Sequence, residues 1–317
     1  RQRQMCIRDR KDAASASIYG ARASFGVILV TTKSGKSGKT NVNYSGNVRF
    51  NDAIGIPELM DSYTFAQYFN RASSNRGGGD IFSPAVMERI KAYQEGTLTA
   101  TTVDNGSGIW QKWANANGNP DWFGEFYDNW VPSQEHNLSI SGGTEKLQYV
   151  LSGSFLDQKG LLRHGTDKFQ RYTLNSKITA NITDWLKVTL NSKWTREDFQ
   201  RPTYLTSSFF HNLARKWPVH PAYDPNGFPM DEGEIEQMEN GGEQNSQKDY
   251  YTNQLHVVIE PIKNWRINLE GSVRTTTQYQ HWEVLPVHAY DVNGDPYYTV
   301  WAVSYTHLRA HETEADL

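Results

Sequence analysis

The sequence predicts an all-β fold, namely a partial antiparallel transmembrane β-barrel of about eight strands with an open edge. Apolar and polar residues alternate through long segments, as they do in strands with one apolar and one polar face. One segment keeps this alternation over residues 170–182, whereas strands in soluble proteins average about 5 or 6 residues. Tight turns and long connections also alternate along the chain. This alternation is typical of barrels whose strands are joined by tight turns at one end and by long loops at the other.

The strands are predicted from apolar residues at every second position. In the first, Val42, Tyr44 and Val48 share one face, while Asn41 and Asn43 point the other way. The predicted strands are residues 41–50, 136–142, 147–157, 170–182 and 185–194, two strands at 255–259 and 265–273, and an eighth beginning at 297–301. The predicted tight hairpin turns are residues 143–146, 183–184 and 263–264. The longer connections are roughly residues 51–133, 158–168, 198–250 and 281–296.

The first long connection contains two predicted helices. Asp61 or Ser62 is expected to cap the first helix. Ser83 and Pro84 have the pattern of a cap and a first-turn proline for the second helix, which Gly96 ends. Residues 73–80 include three consecutive glycines and are predicted to be a flexible linker between the helices.

Composition restricts the class of protein. Hydrophobic residues make up 37% of the chain and no stretch approaches the ~20 apolar residues of a membrane helix, so a helical membrane protein is excluded. The aromatic share of 13%, with 10 Trp and 17 Tyr, suits aromatic girdles or a sugar-binding surface. The net charge of -3 argues against a nucleic-acid partner.

Both ends of the chain are predicted to be non-native. Residues 1–10, which contain the only cysteine, Cys6, show no apolar periodicity and run abruptly into a well-patterned sequence. This segment and residues 304–317 resemble translated sequencing-adapter read-through, so both are excluded from the fold prediction. On this interpretation the lack of a signal peptide reflects truncation. The alternative is a natural basic arm and a natural tail.

Residues 11–36 carry a specific resemblance. A helix-prone start, a Tyr-Gly-x-Arg turn, a glycine and the strand-like run 27–32 follow one another and lead directly into the first predicted strand. This order resembles the closing segment of the plug domain in TonB-dependent transporters, in the form typical of the SusC/RagA family. The residues that match the plug motif are Asp12, Tyr19, Gly20, Arg22, Gly26 and Lys33. Independently of the resemblance, the uninterrupted apolar and β-branched run suits a strand buried on both faces.

A second resemblance covers the early barrel of the same family. It rests on Asn119-Pro-Asp-Trp-Phe, on His136-Asn-Leu-Ser-Ile-Ser-Gly-Gly and on Tyr149-Val-Leu-Ser-Gly-Ser-Phe. The resemblance implies that residues 11–36 are the C-terminal end of a plug and that residues 41–303 are the N-terminal part of a barrel. We therefore expect a fragment, with the TonB box, the earlier plug and over half of a wall of ~22 strands lying outside it.

The resemblance also implies a function for the intact parent protein. It implies TonB-dependent import of a glycan, an oligosaccharide or another bulky nutrient across the outer membrane of a Gram-negative, Bacteroidetes-like cell. The implied partners are a SusD-like surface lipoprotein that acts as a lid, the TonB complex, outer-membrane lipid and the glycan or peptide nutrient. Because transport consists of binding and gated passage, we expect no enzyme activity, no catalytic residue, no cofactor and no metal. The sequence does not specify the substrate.

The alternation assigns residues to the two faces of the wall. The predicted lumen-facing residues are Arg171, Asn175, Lys177, Lys187, Asn191, Arg266 and Glu270. The predicted lipid-facing residues are Leu174, Ile178, Leu190, Ile267 and Leu269. Aromatic residues in the long connections are candidates to stack on a ligand. For each of them taken singly, packing of one loop on another is the favoured interpretation. These candidates are Trp110, Trp113, Trp122, Tyr127, Trp130, Trp217 and Tyr223.

Several other patterns have simpler readings. Gly35-Lys-Ser-Gly-Lys lacks the glycine spacing of a phosphate loop. Asp291-Val-Asn-Gly-Asp lacks the closing Glu of a calcium loop and predicts an Asn-Gly turn. The acidic run 231–236 is read as a solvated loop, with a surface cation site as the alternative.

Two rival functions remain. A soluble carbohydrate-binding or hydrolytic β-sandwich would bury its apolar rows between two sheets. A passive porin would lack a plug.

Overall fold

A computed structural model defines the backbone of residues 6–10, 27–31, 34–300 and 303–316, and the side chains of residues 34–299. The plug-motif residues lie outside these ranges, as does the predicted helix-prone segment around them. Twelve strands are present in the described ranges. In chain order they are β1 (Cys6–Arg10), β2 (Val27–Thr31), β3 (Gly38–Asn51), β4 (Val131–Gly143), β5 (Leu147–Lys159), β6 (Lys168–Thr183), β7 (Leu186–Pro202), β8 (Glu243–Ile262), β9 (Trp265–Val284), β10 (Val287–Tyr290), β11 (Pro296–Val300) and β12 (Val303–Asp316).

Eight of these strands form one antiparallel sheet in the order β3-β4-β5-β6-β7-β8-β9-β12. Strands β1 and β2 form a separate antiparallel pair, and so do β10 and β11. Strands β3 and β12 are the two edges of the sheet, which is therefore open. The predicted all-β, partial barrel with an open edge is confirmed.

The strands are longer than the sequence predicts. Strands β8 and β9 each contain 20 residues, and β7 runs to Pro202 instead of ending at Trp194. Beyond Trp194 the residues of β7 are polar or charged except for Phe199 and Pro202, so no apolar alternation marks the continuing strand. Cross-strand hydrogen bonding does not need that alternation, and β7 stays paired with β8 through Pro202 and Glu243.

The predicted eighth wall strand is wrong. Residues 297–300 belong to β11, which pairs with β10 in a hairpin outside the main sheet. The strand that pairs with β9 is β12, in the segment predicted to be a non-native tail. The error arose because a strand of this separate hairpin alternates in the same way as a wall strand. The non-native origin of residues 1–10 and 304–317 stays a prediction.

Short and long connections alternate as predicted. Residues 144–146, 184–185 and 263–264 are the short connections. The long connections are loop 1 (residues 52–130), loop 2 (160–167), loop 3 (203–242) and loop 4 (285–302). Because antiparallel strands reverse direction at each connection, the four long loops share one end of the sheet and the tight turns share the other.

Loop 1 contains both predicted helices, α1 (Ser62–Asn75) and α2 (Pro84–Gln94). The Asp61 side chain accepts a hydrogen bond from the Thr64 N–H, and the Ser83 side chain accepts one from the Val86 N–H, so both predicted caps are confirmed. The predicted linker 73–80 is shorter than expected, because α1 continues to Asn75.

Three short helices have no signal in the sequence. They are α3 (Trp122–Phe126), α4 (Ser207–Ala214) and α5 (Ile235–Asn240), none of which has a side-chain cap. Within the described residues no helix is long and apolar enough to cross a membrane.

The hydrophobic cores lie in the long loops, away from the centre of the sheet. One core joins α3, α4 and α5 through Trp122, Phe126, Phe209, Leu213 and Ile235. A second core joins α1 and α2 to loop 3 through Ala66, Phe82, Val86, Ile90 and Val219. The loops therefore pack on one another as an ordered layer.

Asn70 is expected to stabilise the α1–α2 connection. Its Oδ1 accepts hydrogen bonds from the Ile81 N–H at 3.0 Å and the Phe82 N–H at 2.8 Å, and its Nδ2 donates to the Phe82 carbonyl at 2.8 Å. In Asn70→Ala, partly buried amides lose their partners, at a cost of about 1–3 kcal/mol. Hydrogen exchange of residues 79–83 should speed up accordingly. The exposed Gln67→Ala on the same helix should leave it unchanged, and equal rates in both variants would contradict the assignment.

Candidate functional site

One face of the main sheet is apolar because the strands keep their apolar rows in register. Ile178 of β6 lies opposite Tyr149 of β5 and Leu190 of β7, and Leu190 lies opposite Leu255 of β8. A slip of one residue in any pair would turn a whole row to the other face.

These apolar side chains are exposed. Leu174 is 56% exposed, Leu190 44% and Leu269 55%, and Ile178 and Ile267 are each 37% exposed. A β-sandwich would bury such rows between two sheets, so the arrangement contradicts the sandwich alternative. An extended exposed apolar surface of this kind marks a face that contacts lipid or another protein.

Aromatic residues border the apolar face at both ends. Near the long loops, Phe155 packs on Tyr172 with ring centroids 5.0 Å apart, and Trp194 lies 6.4 Å from Tyr251. At the opposite end, Trp185 lies in one tight turn and Trp265 directly follows another, and they are 50% and 57% exposed. Ile182 lies ten positions after Tyr172 in β6, which at ~3.3 Å per residue and a barrel-like tilt gives a band about 25 Å tall.

A charged pair marks the loop-side border of this band. Arg196 donates from Nε and Nη2 to the two carboxylate oxygens of Asp249, each at 2.9 Å. Trp194 Nε1 donates to the same carboxylate at 3.0 Å. The apolar face therefore becomes ionic within one residue pair beyond the aromatic row.

The opposite face of the sheet is polar. Lys177 lies opposite Asn191, and Asn181 lies opposite Lys187. The side chains interact across the strands, since Asn175 Nδ2 donates to Ser152 Oγ at 3.3 Å. The predicted lumen-facing residues all belong to this face: Arg171, Asn175, Lys177, Lys187, Asn191, Arg266 and Glu270.

Side chains on the polar face are more crowded than their apolar neighbours. Thr179 is 7% exposed and its Oγ1 lies 3.2 Å from that of Thr189, whereas the adjacent Ile178 is 37% exposed. Side chains converge on the concave side of a curved sheet, so we infer that the polar face is the concave one.

The predicted loop aromatics fall into different environments. Trp122 is fully buried and stacks near Phe126 and His220, with centroids 6.2 and 6.1 Å apart, so its ring packs the loop core and offers no surface to a ligand. Trp130 is 71% exposed. Tyr127 and Tyr223 pack against the first core, and Trp110 is half-buried. Trp113 and Trp217 border a cavity, described next.

A cavity of about 810 Å³ lies between α1 and loop 3 and is called here the loop cleft. Its walls include Phe65, Phe69, Trp113, Lys216, Trp217 and Glu234. The Lys216 side chain is buried in this wall, with Nζ 3.3 Å from Glu234 Oε1 and 5.3 Å from the centroid of the Trp122 ring. Burial lowers the pKa of Lys216 even though the charge of Glu234 opposes that effect.

His220 lies behind the same wall and is uncharged. Burial, with the nearby charge of Lys216, lowers its pKa to about 3. Its ring stacks on Trp113 with centroids 4.6 Å apart. Nε2 is 3.1 Å from the Asp231 carbonyl, which is only an acceptor, so the proton of the neutral ring is assigned to Nε2.

Loop 1 is clamped to loop 3 by Lys112. Its Nζ lies 2.6 Å from Asp231 Oδ2 and 2.8 Å from Glu232 Oε1, and Trp113 Nε1 donates to Glu232 Oε2 at 2.8 Å. Burial alone would lower the pKa of Lys112, but its hydrogen bonds to Asp231 and Glu232 raise it overall. Burial would likewise raise the pKa of Glu232, but the hydrogen bond from Lys112 lowers it overall.

Lys112 and Glu232 are therefore both charged at any pH between the ordinary pKa of a glutamate and that of a lysine. The ion pair between Lys112 and Glu232 is lost only as the pH falls through the lowered pKa of Glu232 or rises through the raised pKa of Lys112. The acidic run 231–236 is thus not the predicted solvated loop, because it neutralises two lysines of the same chain.

A second network joins three loops. His164 of loop 2 lies 2.6 Å from Glu239 Oε1 and 3.3 Å from Glu125 Oε1, and the Tyr223 hydroxyl donates to Glu125 at 2.8 Å. Burial and the Glu125 carboxylate raise the pKa of Tyr223 to about 12. Loops 1, 2 and 3 are thereby held together.

The predicted Asn-Gly turn at residues 291–295 is confirmed. Asp291 Oδ1 accepts from the backbone N–H groups of Asn293 and Asp295 at 2.8 and 2.9 Å, and Gly294 has φ 85. The equivalent turn at Asp224 packs against it, with the rings of Phe228 and Tyr290 stacked 4.0 Å apart. The described side chains contain no group of His, Cys, Asp and Glu residues arranged to hold a metal ion.

Sequence patterns did not reveal the residues that join the loops. Lys112 and its partner Asp231 are 119 positions apart, and Tyr223 and Glu125 are 98 apart. No local sequence motif contains both residues of such a pair. One sequence feature does point to this region. The tripeptide Pro-Val-His occurs at residues 218–220 and again at 286–288, and its first copy contains the buried His220.

Comparison with known proteins agrees with this architecture. No family model matches the chain. The TonB-dependent receptor SusC of Bacteroides thetaiotaomicron is 28% identical over 186 residues, which is 58% of this chain and 15% of SusC. The TonB-dependent receptor P26 of Formosa agariphila is 25% identical over 223 residues, 68% of this chain and 19% of that receptor. The chain thus spans less than a fifth of these relatives.

Solved structures of the RagAB peptide importer share the fold. In the open-open state the match has a TM-score of 0.65 at 20% identity and covers 88% of this chain and 32% of the importer chain. In the closed-closed state the TM-score is 0.64 at 19% identity.

An open antiparallel wall with one apolar and one polar face is the architecture of outer-membrane-type barrels. The sequence and structure comparisons together relate this chain to TonB-dependent receptors of the SusC/RagA type, so the predicted resemblance is confirmed.

The Lys112 clamp is expected to fix loop 3 against loop 1. In Lys112→Met the carboxylates of Asp231 and Glu232 lose their shared cation and repel each other. Hydrogen exchange of residues 229–234 should become several-fold faster. Lys91→Met removes only an exposed helical pair with Glu95 at 3.8 Å and is the matched control. Unchanged exchange in Lys112→Met would show that the clamp does not hold the loop.

Proposed function

We propose that this chain forms part of the wall and outer loops of a TonB-dependent importer, which moves a glycan, an oligosaccharide or another bulky nutrient across the outer membrane. The observation that carries the proposal is the exposed apolar face, held in register across β3 to β9 and bordered by aromatic rows. Such a face suits acyl chains, and the polar face behind it suits a water-filled lumen. The relationship to SusC and its relatives supports the same function.

The mechanism we propose is binding and gated passage without covalent chemistry. The polar row that includes Arg171, Asn175 and Lys177 would line the path. In this proposal residues 11–36, with Asp12, Tyr19, Gly20, Arg22, Gly26 and Lys33, end a plug domain, and residues 41–303 begin the barrel. A passive porin would have no such plug.

The proposed partners follow from the same relationship. A SusD-like lipoprotein would cover the loop end, and the TonB complex would act on the plug from the other side. The packed loops support this arrangement, because loops 1, 2 and 3 share buried cores and ion pairs and so present one preformed surface to a lid.

Nutrient uptake tests the proposed function. Cells that express the intact protein should take up the nutrient only when both the TonB complex and the adjacent lid lipoprotein are present. Deleting either should abolish growth on low concentrations of the nutrient. Uptake that continues without TonB would support the porin instead.

The lipid contact is tested by charge placement. Ile178→Lys should destabilise the membrane-inserted protein by about 2–4 kcal/mol, because an apolar side chain near the midplane of the band is replaced by a charge. Asn175→Lys, three residues away on the polar face, is the matched control and should cost far less. The measurement is urea unfolding in lipid vesicles, and equal midpoints for the two variants would contradict the assignment of faces.

A further inference from the structure

Basic residues are concentrated on the polar face of β6 to β9. The chain as a whole has a net charge of -3, yet basic residues outnumber acidic ones on this face by eight to three. Strands β6 and β7 contribute Arg171, Lys177, Lys187, Lys193 and Arg201, and β8 and β9 contribute Lys248, Arg266 and Arg274. The acidic residues are Glu197, Glu260 and Glu270. This face is therefore positive in a chain that is slightly acidic.

The acidic residues do not neutralise this surplus. Glu260 pairs with Arg266, and its Oε2 lies 2.6 Å from the arginine Nε. Glu197 Oε2 accepts a hydrogen bond from the Tyr250 hydroxyl at 3.4 Å, and Glu270 accepts one from a glutamine side chain, so both carboxylates are engaged by uncharged donors. Within the part of the chain whose side chains are described, five of the cations form no ion pair: Arg171, Lys187, Lys193, Lys248 and Arg274.

These five cations form rows that follow one another from the loop end of the wall towards the tight turns. Arg171 and Lys248 share a row, because each lies opposite position 197 of β7. Lys193, four positions closer to the turn in β7, shares a row with Arg274, because each lies opposite position 252 of β8. Lys187 lies six positions further on. At ~3.3 Å per residue the rows are about 13 and 20 Å apart along β7, so a cargo that moves along this face meets cations in succession.

Aromatic rings hold several of the cations in position. Lys248 Nζ and Arg274 Cζ lie 5.1 and 5.7 Å from the centroid of the same ring, that of Tyr250. Two like charges at one ring repel each other, and a bound anion would relieve that repulsion. Cations that are already held in place also lose less side-chain freedom when they bind an anion.

The loop end of the polar face carries a further basic group in a cavity. This cavity of about 280 Å³ is lined by Arg201, Trp282 and four uncharged polar side chains. Arg201 Nε donates to Gln244 Oε1 at 2.9 Å, and the guanidinium carbon lies 5.8 Å from the centroid of the Phe199 ring. An anionic group that enters from the loop side therefore meets a positioned guanidinium before it reaches the rows below.

We propose that the polar face of β6 to β9 selects an anionic oligosaccharide, one that carries carboxylate or sulfate groups, with Lys193, Lys248 and Arg274 as its main ionic contacts. A positive surface raises the local concentration of an anion and excludes cations. The amide and hydroxyl side chains between the cations, such as Asn175, Asn191 and Thr252, suit the hydroxyl groups of sugars. The inference rests on the proposed function and deepens it by assigning a charge class to the cargo.

Uptake by cells that express the intact transporter and its lid lipoprotein tests the inference. The acidic probes are oligogalacturonates, which carry carboxylates, and chondroitin sulfate oligosaccharides, which also carry sulfates. Maltoheptaose and xylohexaose are the neutral probes, and hexaglutamate represents acidic peptides. TonB-dependent uptake of at least one acidic oligosaccharide should exceed that of the neutral probes about tenfold or more, and it should fall as the salt concentration rises.

Variants assign the selectivity to the polar face. Lys193→Gln combined with Arg274→Gln keeps polar side chains but removes two cations, so half-maximal uptake of the acidic probe should need about tenfold more of it or higher. Lys159→Gln removes an exposed cation from the other face of the sheet and is the matched control. Surface labelling measures how much of each variant reaches the outer membrane, and Lys248→Gln decides the matter where the double variant does not assemble.

The outcomes separate this inference from the proposed function. Preference for a neutral probe or for hexaglutamate, no uptake of either acidic oligosaccharide, or unchanged uptake in the assembled variants would overturn the charge selectivity. Unchanged acidic uptake with increased entry of vancomycin, which an intact outer membrane excludes, would assign the cations to contact with a plug instead. TonB-dependent uptake of the natural nutrient would in each case still support import. Selective acidic uptake that continues without TonB would overturn the proposed transport and leave the selectivity in place.

Discussion

The structure depends on the registration of two-faced strands. Each strand alternates apolar and polar side chains, and antiparallel pairing places like with like from β3 to β9. The sheet thereby separates two environments, and no second layer is needed to bury its apolar face if that face meets lipid. This is the reverse of a soluble domain, in which the same rows would turn inward.

The long loops follow a different rule. Trp122, Phe82 and Phe209 are fully buried there, while Leu174 and Leu269 on the sheet are exposed. The loops therefore behave as a small globular layer with its own cores, closed by ion pairs such as that between Lys112 and Asp231. Four of the five described non-glycine residues with a positive φ, Trp113, Trp130, Glu232 and Glu234, belong to this layer.

Packing in that layer also explains which aromatic residues serve structure. Trp122 and Trp113 flank His220, and Lys216 lies over both indole rings. From sequence these residues looked alike, as aromatics in polar loops. Burial separates Trp122, which has no exposed surface, from Trp217, whose ring forms part of a cavity wall.

The sequence by itself determined the two-faced strands, the parity of the connections and the caps of α1 and α2, because these depend on neighbours within a few residues. Tertiary structure decided the strand ends beyond Trp194, the place of β11 in a separate hairpin with β10, and the packing of the loop layer. The strand ends depend on the pairing of β7 with β8, the position of β11 on its pairing with β10, and the loop layer on contacts such as that of Lys112 with Asp231. Contacts between residues more than a hundred positions apart leave no periodic trace in a single chain, so only the folded arrangement reveals them.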